Sequence, residues 1–148
     1  MLKGNVLHPE ILAALGSAGH LSKILISDGN YPHISVPNPR AKIVWANFAP
    51  GFVDAVTMLR LVAQLVPIED VEVMAPALSG PYAMSTDPPI WAEFRKVLKE
   101  QAGFDAELTT MEKPSFNLHA ADPMVCLVIA TGETAIYANI LVTIGVVR

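Results

Sequence analysis

Short apolar runs alternate along this chain with stretches whose apolar positions recur at helical spacing. Lys23-Ile-Leu-Ile-Ser27 reads as a strand, left through the polar turn Asp28-Gly-Asn-Tyr-Pro32. Further strands are expected within residues 41–47, at 71–75, somewhere in 105–112, at 125–130 and at 140–144. Between them lie helical patterns. Pro9 suits a first helical turn, where its missing N–H costs nothing, and Ile11, Leu12 and Leu15 then mark one face. Gly16 weakens that helix and Gly19 is the expected left-handed terminator. Asn47 is the expected cap of a second helix, with Pro50 near its start. Its apolar face is Phe52, Val56, Leu59 and Ala63, widened by Val53 and Leu65. Asp87 and Pro88 open a third, carried by Trp91, Phe94, Val97 and Leu98 and ended by Gly103. A short helical piece is expected at 115–121.

Alternating strand and helix patterns define an α/β protein, although the order is not cleanly doubly wound. No repeat, low-complexity segment or long linker divides residues 1–148, which reads as one domain. The stretch 81–89, with three prolines at Pro81, Pro88 and Pro89, is the least periodic.

Composition changes this picture in one respect. Hydrophobic residues make up 52% of the chain and charged residues only 16%. A chain of this size folds with a surface of roughly 7,000 Å². Ten basic and fourteen acidic residues cover that thinly, so some apolar surface is expected to be buried between subunits. The net charge of −4 comes without a basic cluster that could follow a phosphate backbone, which argues against nucleic-acid binding. No apolar run reaches membrane-spanning length and no signal peptide is evident, so the cytoplasm is the expected compartment. The single cysteine, Cys126, lies in an apolar run and reads as a small packed hydrophobe.

There is no glycine-rich dinucleotide fingerprint and no P-loop. His8, His20, His33 and His119 form no sequence-local metal cluster, so neither cofactor nor metal is expected. What remains is acid/base and hydrogen-bonding chemistry. His20 can exchange a proton near neutral pH, or can simply satisfy a carbonyl at a helix exit. Asp28, Asn30 and Tyr31 sit where a strand ends, a common place for ligand contacts in α/β proteins, but they could equally serve their own turn. Tyr137 and Asn139 lie between two apolar strand candidates, in a segment that reads either as the wall of a polar-ligand pocket or as a self-satisfied connection.

Several fragments taken in order carry a resemblance. They are Met1-Leu-Lys-Gly4, Pro9-Glu-Ile-Leu12, Gly19-His20, Ile26-Ser-Asp28-Gly-Asn30-Tyr-Pro32, Ala130-Thr-Gly-Glu133 and Tyr137-Ala-Asn139. Together, over nearly the whole length, the chain resembles the ribose pyranase and fucose mutarotase family, and is closer to its fucose mutarotase branch. The resemblance implies a single-domain, Rossmann-like sheet with flanking helices. It also implies a cytoplasmic isomerase without cofactor, and a ring-shaped homo-oligomer, decamers included, with pockets near subunit contacts. His20 would be the catalytic proton donor, Asp28 would bind substrate, and Tyr137 and Asn139 would belong to the sugar site. The family places a further binding histidine or arginine before the last Gly-Glu turn. His119 offers that chemistry without falling on the same position.

The implied substrate is a free reducing monosaccharide, fucose first and ribose next. Interconverting its anomers requires ring opening to a carbonyl form and closure on the other face. His20 would protonate the ring oxygen on opening and reverse that role on closure. Tyr137 would align or exchange a proton with the anomeric oxygen. Asp28, Asn30, His119 and Asn139 would hold hydroxyls, and Trp45 or Phe48 would stack on an apolar sugar face or pack as core.

Overall fold

The computed structural model describes residues 1–105 and 107–147. One mixed six-stranded sheet organises them, in the order β2-β5-β1-β6-β3-β4. The strands are β1 (Lys23–Ser27), β2 (Lys42–Ala46), β3 (Ile68–Met74), β4 (Thr109–Met111), β5 (Val125–Thr131) and β6 (Ile140–Ile144). The helices are α1 (Pro9–Ser17), α2 (Ala55–Ala63), α3 (Pro89–Ala102) and α4 (Lys113–Ala120). The expected α/β class holds, and a mixed sheet explains why the path is not doubly wound. Strands β2, β5 and β1 run parallel, β6 runs against both β1 and β3, and β4 pairs parallel with β3. The C-terminal ends of β1, β3 and β5 therefore share one edge with the start of β6.

The central strands are buried on both faces, which is why their sequences read as unbroken apolar runs. One face packs Ile24, Ile26, Leu127, Ile129, Ile140 and Val142 against α1, α2 and α3. The other packs Leu25, Val128 and Leu141 against Phe116 and Ala120 of α4 and Tyr31 of the loop after β1.

Helix starts and stops separate what local chemistry fixes from what tertiary contacts fix. Gly103 ends α3 at φ 64°, and its amide donates to the Leu98 and Lys99 carbonyls, as expected of a left-handed terminator. Gly19 does not terminate α1: the helix stops at Ser17 with Ala18 extended, and the left-handed residue is Leu21. Asn47 does not cap α2. Asp54 does, accepting from the Thr57 amide at 2.6 Å, so residues 47–53 form a loop and Phe52 stays exposed. The buried face of α2 is consequently Ala55, Met58, Leu59, Val62 and Ala63. Asp87 makes no cap either, and its carboxylate pairs with Arg95.

Candidate active site

Asp28 follows the last residue of β1 and is buried. Three hydrogen bonds fix it. Its backbone amide donates to Asn139 Oδ1 at 3.0 Å, and Asn139 Nδ2 donates back to Asp28 Oδ2 at 2.9 Å. The Asn30 amide donates to Asp28 Oδ1 at 2.9 Å, closing a turn of the kind aspartate favours. Asn139 stands just before β6, antiparallel to β1, so the sheet itself brings two residues 111 positions apart face to face. Burial nonetheless pushes the Asp28 carboxyl above the ordinary aspartate range, against the pull of these donors and of His33.

The connection that delivers Asn139 is held from below. Thr131 Oγ1 donates to the Ser27 carbonyl at 2.7 Å and accepts from the Glu133 amide. Gly132 is pressed against the Ala49 and Phe52 carbonyls, where any side chain would collide with backbone. The Glu133 carboxylate accepts from the amides of Ala55, Thr134 and Ala135, tying the start of α2 to this corner. The Thr-Gly-Glu segment is thus a structural corner that aims the residues after it.

Tyr137 adopts φ 59°, a left-handed conformation held by Trp91, whose indole N–H donates to the Tyr137 carbonyl at 3.0 Å. Its hydroxyl donates to the Tyr82 carbonyl at 2.7 Å and accepts from the Ala77 amide at 2.9 Å. The phenol therefore clamps the loop after β3. To donate to a ligand it must exchange the Tyr82 bond.

These groups line a cavity of about 480 Å³ at the C-terminal edge of β1 and β3. Asp28, Asn30, Tyr137 and Asn139 of the sequence-derived set all face it. Tyr31, left open between turn and ligand by the sequence, lines it too, while sequence reasoning missed Met74, Tyr82, and Lys113 and Asn117 of α4. Lys113 and Asn117 are four apart and share one helix face, a signal obscured because the helical piece was expected to begin two residues after Lys113. The Tyr31 hydroxyl donates to Asn117 Oδ1 at 3.4 Å, and burial raises its pKa so that it stays a donor.

His119 lies elsewhere. Its Nδ1 is 2.9 Å from Oε1 of Glu72, a buried carboxylate on β3 that also meets Lys23 Nζ at 3.5 Å. It does not line the cavity. Trp45 and Phe48 do not line it either: Trp45 meets His33 edge-on, and Phe48 pairs with Phe52 beside a second cavity of about 330 Å³. No cluster that could hold a metal ion occurs among the described residues, and Cys126 packs against the Lys23 carbonyl.

His20 is the displaced member of the set. It precedes β1, whereas Asp28 follows it, and the strand between them spans on the order of 15 Å. Nε2 of His20 instead contacts Glu69 at the opposite edge of the sheet. Within one chain, His20 and the Asp28–Asn139 pair face opposite ends of the molecule.

A buried carboxyl, three amides, three phenols and an ammonium around one cavity suit a small polyhydroxylated ligand. The chain belongs to the RbsD / FucU transport protein family, whose model matches residues 1–147. It is 30% identical over 152 residues to the fucose mutarotase of Danio rerio, covering 99% of this chain and 95% of that protein. The crystal structure of the Streptococcus pneumoniae fucose mutarotase in complex with L-fucose superposes with a TM-score of 0.81. That match has 25% identity and covers 99% of this chain and 100% of the other. Bacillus subtilis RbsD complexed with D-ribose shares the fold at a TM-score of 0.79, with 22% identity and full coverage of both chains.

Proposed function

We propose that this chain is a mutarotase that accelerates anomer interconversion of L-fucose or a closely related free sugar. The observation that carries the reading is the reciprocal Asp28–Asn139 pair set in the wall of a sugar-sized cavity, in a chain of this family. Asp28 and Asn139 retain lone pairs and one amide hydrogen for sugar hydroxyls. Lys113 and Asn117 offer a cation and an amide from the other wall. His20 supplies the proton for the ring oxygen as the C1–O bond opens and takes it back on closure.

Since His20 stands at the far end of its own chain, it must reach the cavity of another copy. That contact joins the His20 end of one subunit to the Asp28 end of the next. A head-to-tail contact of this kind repeats, and it closes into a ring when the rotation permits. Exposed apolar side chains at both ends support the arrangement: Leu21, Val146 and Val147 near His20, Leu78 and Tyr82 near the cavity, and Phe48 beside the second cavity. The sequence-level expectation of a ring-shaped homo-oligomer in the cytoplasm is part of this proposal.

One observation favours a second reading. Among the described residues of one chain no histidine lines the cavity, and the Tyr137 proton is already engaged, as expected for a monosaccharide-binding protein without catalysis. Exchange NMR separates the two. Starting from pure α-L-fucose, the mutarotase shortens the approach to anomeric equilibrium without changing the final ratio. A binder shifts sugar resonances and leaves the rate alone. Running ribose, galactose and glucose in parallel distinguishes a fucose enzyme from a ribose pyranase.

A further inference from the structure

His20 does not stand alone at its end of the sheet. Its Nε2 lies 3.1 Å from Oε1 and 3.0 Å from Oε2 of Glu69, so both carboxylate oxygens face one ring nitrogen. Glu69 is the second residue of β3, where the ladder with β6 shifts register between Ile68 and Asp70. Such an irregularity takes a residue out of pairing and re-aims its side chain. The space it turns into is left by Gly145: a methyl there would come 3.2 Å from Glu69 Cβ and 3.5 Å from Oε2. The histidine is tied to the same corner. The Leu21 amide donates to the Ile144 carbonyl and the Ile144 amide to the Ser22 carbonyl, both at 2.9 Å.

We propose that Glu69 is the positioning residue for His20, fixing the hydrogen on Nε2 and turning Nδ1 toward the sugar of the neighbouring copy. The inference rests on the reading of His20 as the acid/base group. A carboxylate only accepts, so the nitrogen facing it must carry the hydrogen, and in the neutral ring the other nitrogen is then the base. On ring opening, the Nδ1–H of the imidazolium gives its proton to the ring oxygen as the bond from C1 to that oxygen breaks, and the anomeric hydroxyl releases its own proton to water to leave the carbonyl. The neutral Nε2–H form remains against Glu69, ready to take that proton back on closure. An exposed pair of this kind adds little to stability, and none is needed, because its work is selection of tautomer and ring orientation.

The test uses the intact protein, its oligomeric mass checked for each variant. Nitrogen-15 NMR of labelled histidine reads the tautomer of the neutral His20 ring, and exchange NMR at saturating L-fucose reads the turnover rate. Wild type should show the Nε2–H form. Glu69→Ala should show a mixture of tautomers and a rate lower by on the order of tenfold, with the half-saturating fucose concentration unchanged. Glu69→Gln, whose amide oxygen can still accept from Nε2–H, should keep the tautomer and recover most of the rate. A wild-type rate or an unchanged tautomer in Glu69→Ala overturns the assignment. His20→Ala, run beside it, isolates the underlying reading: a folded His20→Ala protein with full activity removes His20 itself, whereas an inactive one beside a normal Glu69→Ala removes Glu69 alone.

Discussion

Asp28 and Asn139 hold each other through two hydrogen bonds, amide to side chain at 3.0 Å and side chain to carboxylate at 2.9 Å, across a pair of antiparallel strands. Each keeps the other's rotamer, and neither needs the ligand in order to be placed. Asn139→Ala removes both bonds and leaves a buried carboxyl short of a partner. The expected cost is about 1–3 kcal/mol of folding stability by urea titration, with fucose binding weakened in the same variant. Wild-type fucose affinity in a destabilised Asn139→Ala would mean that the pair supports the fold and not the site.

The raised Asp28 pKa makes a signed prediction. Its folded value lies above the unfolded one, so its contribution to stability is fully present below the unfolded pKa and is lost as pH rises through the folded pKa. The stability of wild type relative to Asp28→Ala should therefore decline as pH is raised from below about 4 toward neutrality. Carbon-13 NMR of the carboxyl should report a midpoint above the ordinary aspartate value. A difference that grows with pH would show the carboxylate to be stabilised in the fold.

Tyr137→Phe should loosen the loop before any effect on chemistry. It leaves the Tyr82 carbonyl without its donor and the Ala77 amide without its acceptor. We expect about 1 kcal/mol of destabilisation and faster hydrogen exchange at the Ala77 amide. Unchanged exchange there would contradict the clamp.

Lys113 and His119 lie on the same helix but should respond in opposite ways. Lys113→Met should weaken fucose binding by on the order of tenfold and leave stability alone, since Lys113 faces the cavity. His119→Ala should spare binding and cost about 1 kcal/mol, because buried Glu72 loses its closest partner. Calorimetry of binding and of unfolding on both variants checks the contrast, and a reversed pattern would return His119 to the site.

Much of this was legible in the residues. The bounds of β1 and β6 follow from apolar runs set between turn formers, and α3 follows from the spacing of Trp91, Phe94, Val97 and Leu98. The start of α2 was not legible. Asn47 and Pro50 look like a helix opening, but β2 ends at Ala46 and the chain must first pass the Gly132 corner before Asp54 can cap. Lys113 and Asn117 were obscured by Pro114, which sits inside the first turn of α4 and not ahead of it. His20 and Asp28 read as near neighbours in sequence. An extended strand between them makes them distant, and only their separation along β1 says so.

The central claim is that each site joins His20 of one copy to Asp28 and Asn139 of the next. Co-expressing His20→Ala with Asp28→Asn, each inactive alone, and following α-L-fucose by exchange NMR tests it directly. Mixed rings should regain about a quarter of the wild-type rate, because on average one contact in four unites an intact His20 with an intact Asp28. A mixture that forms mixed oligomers by mass measurement yet stays as inactive as its parents would contradict the account.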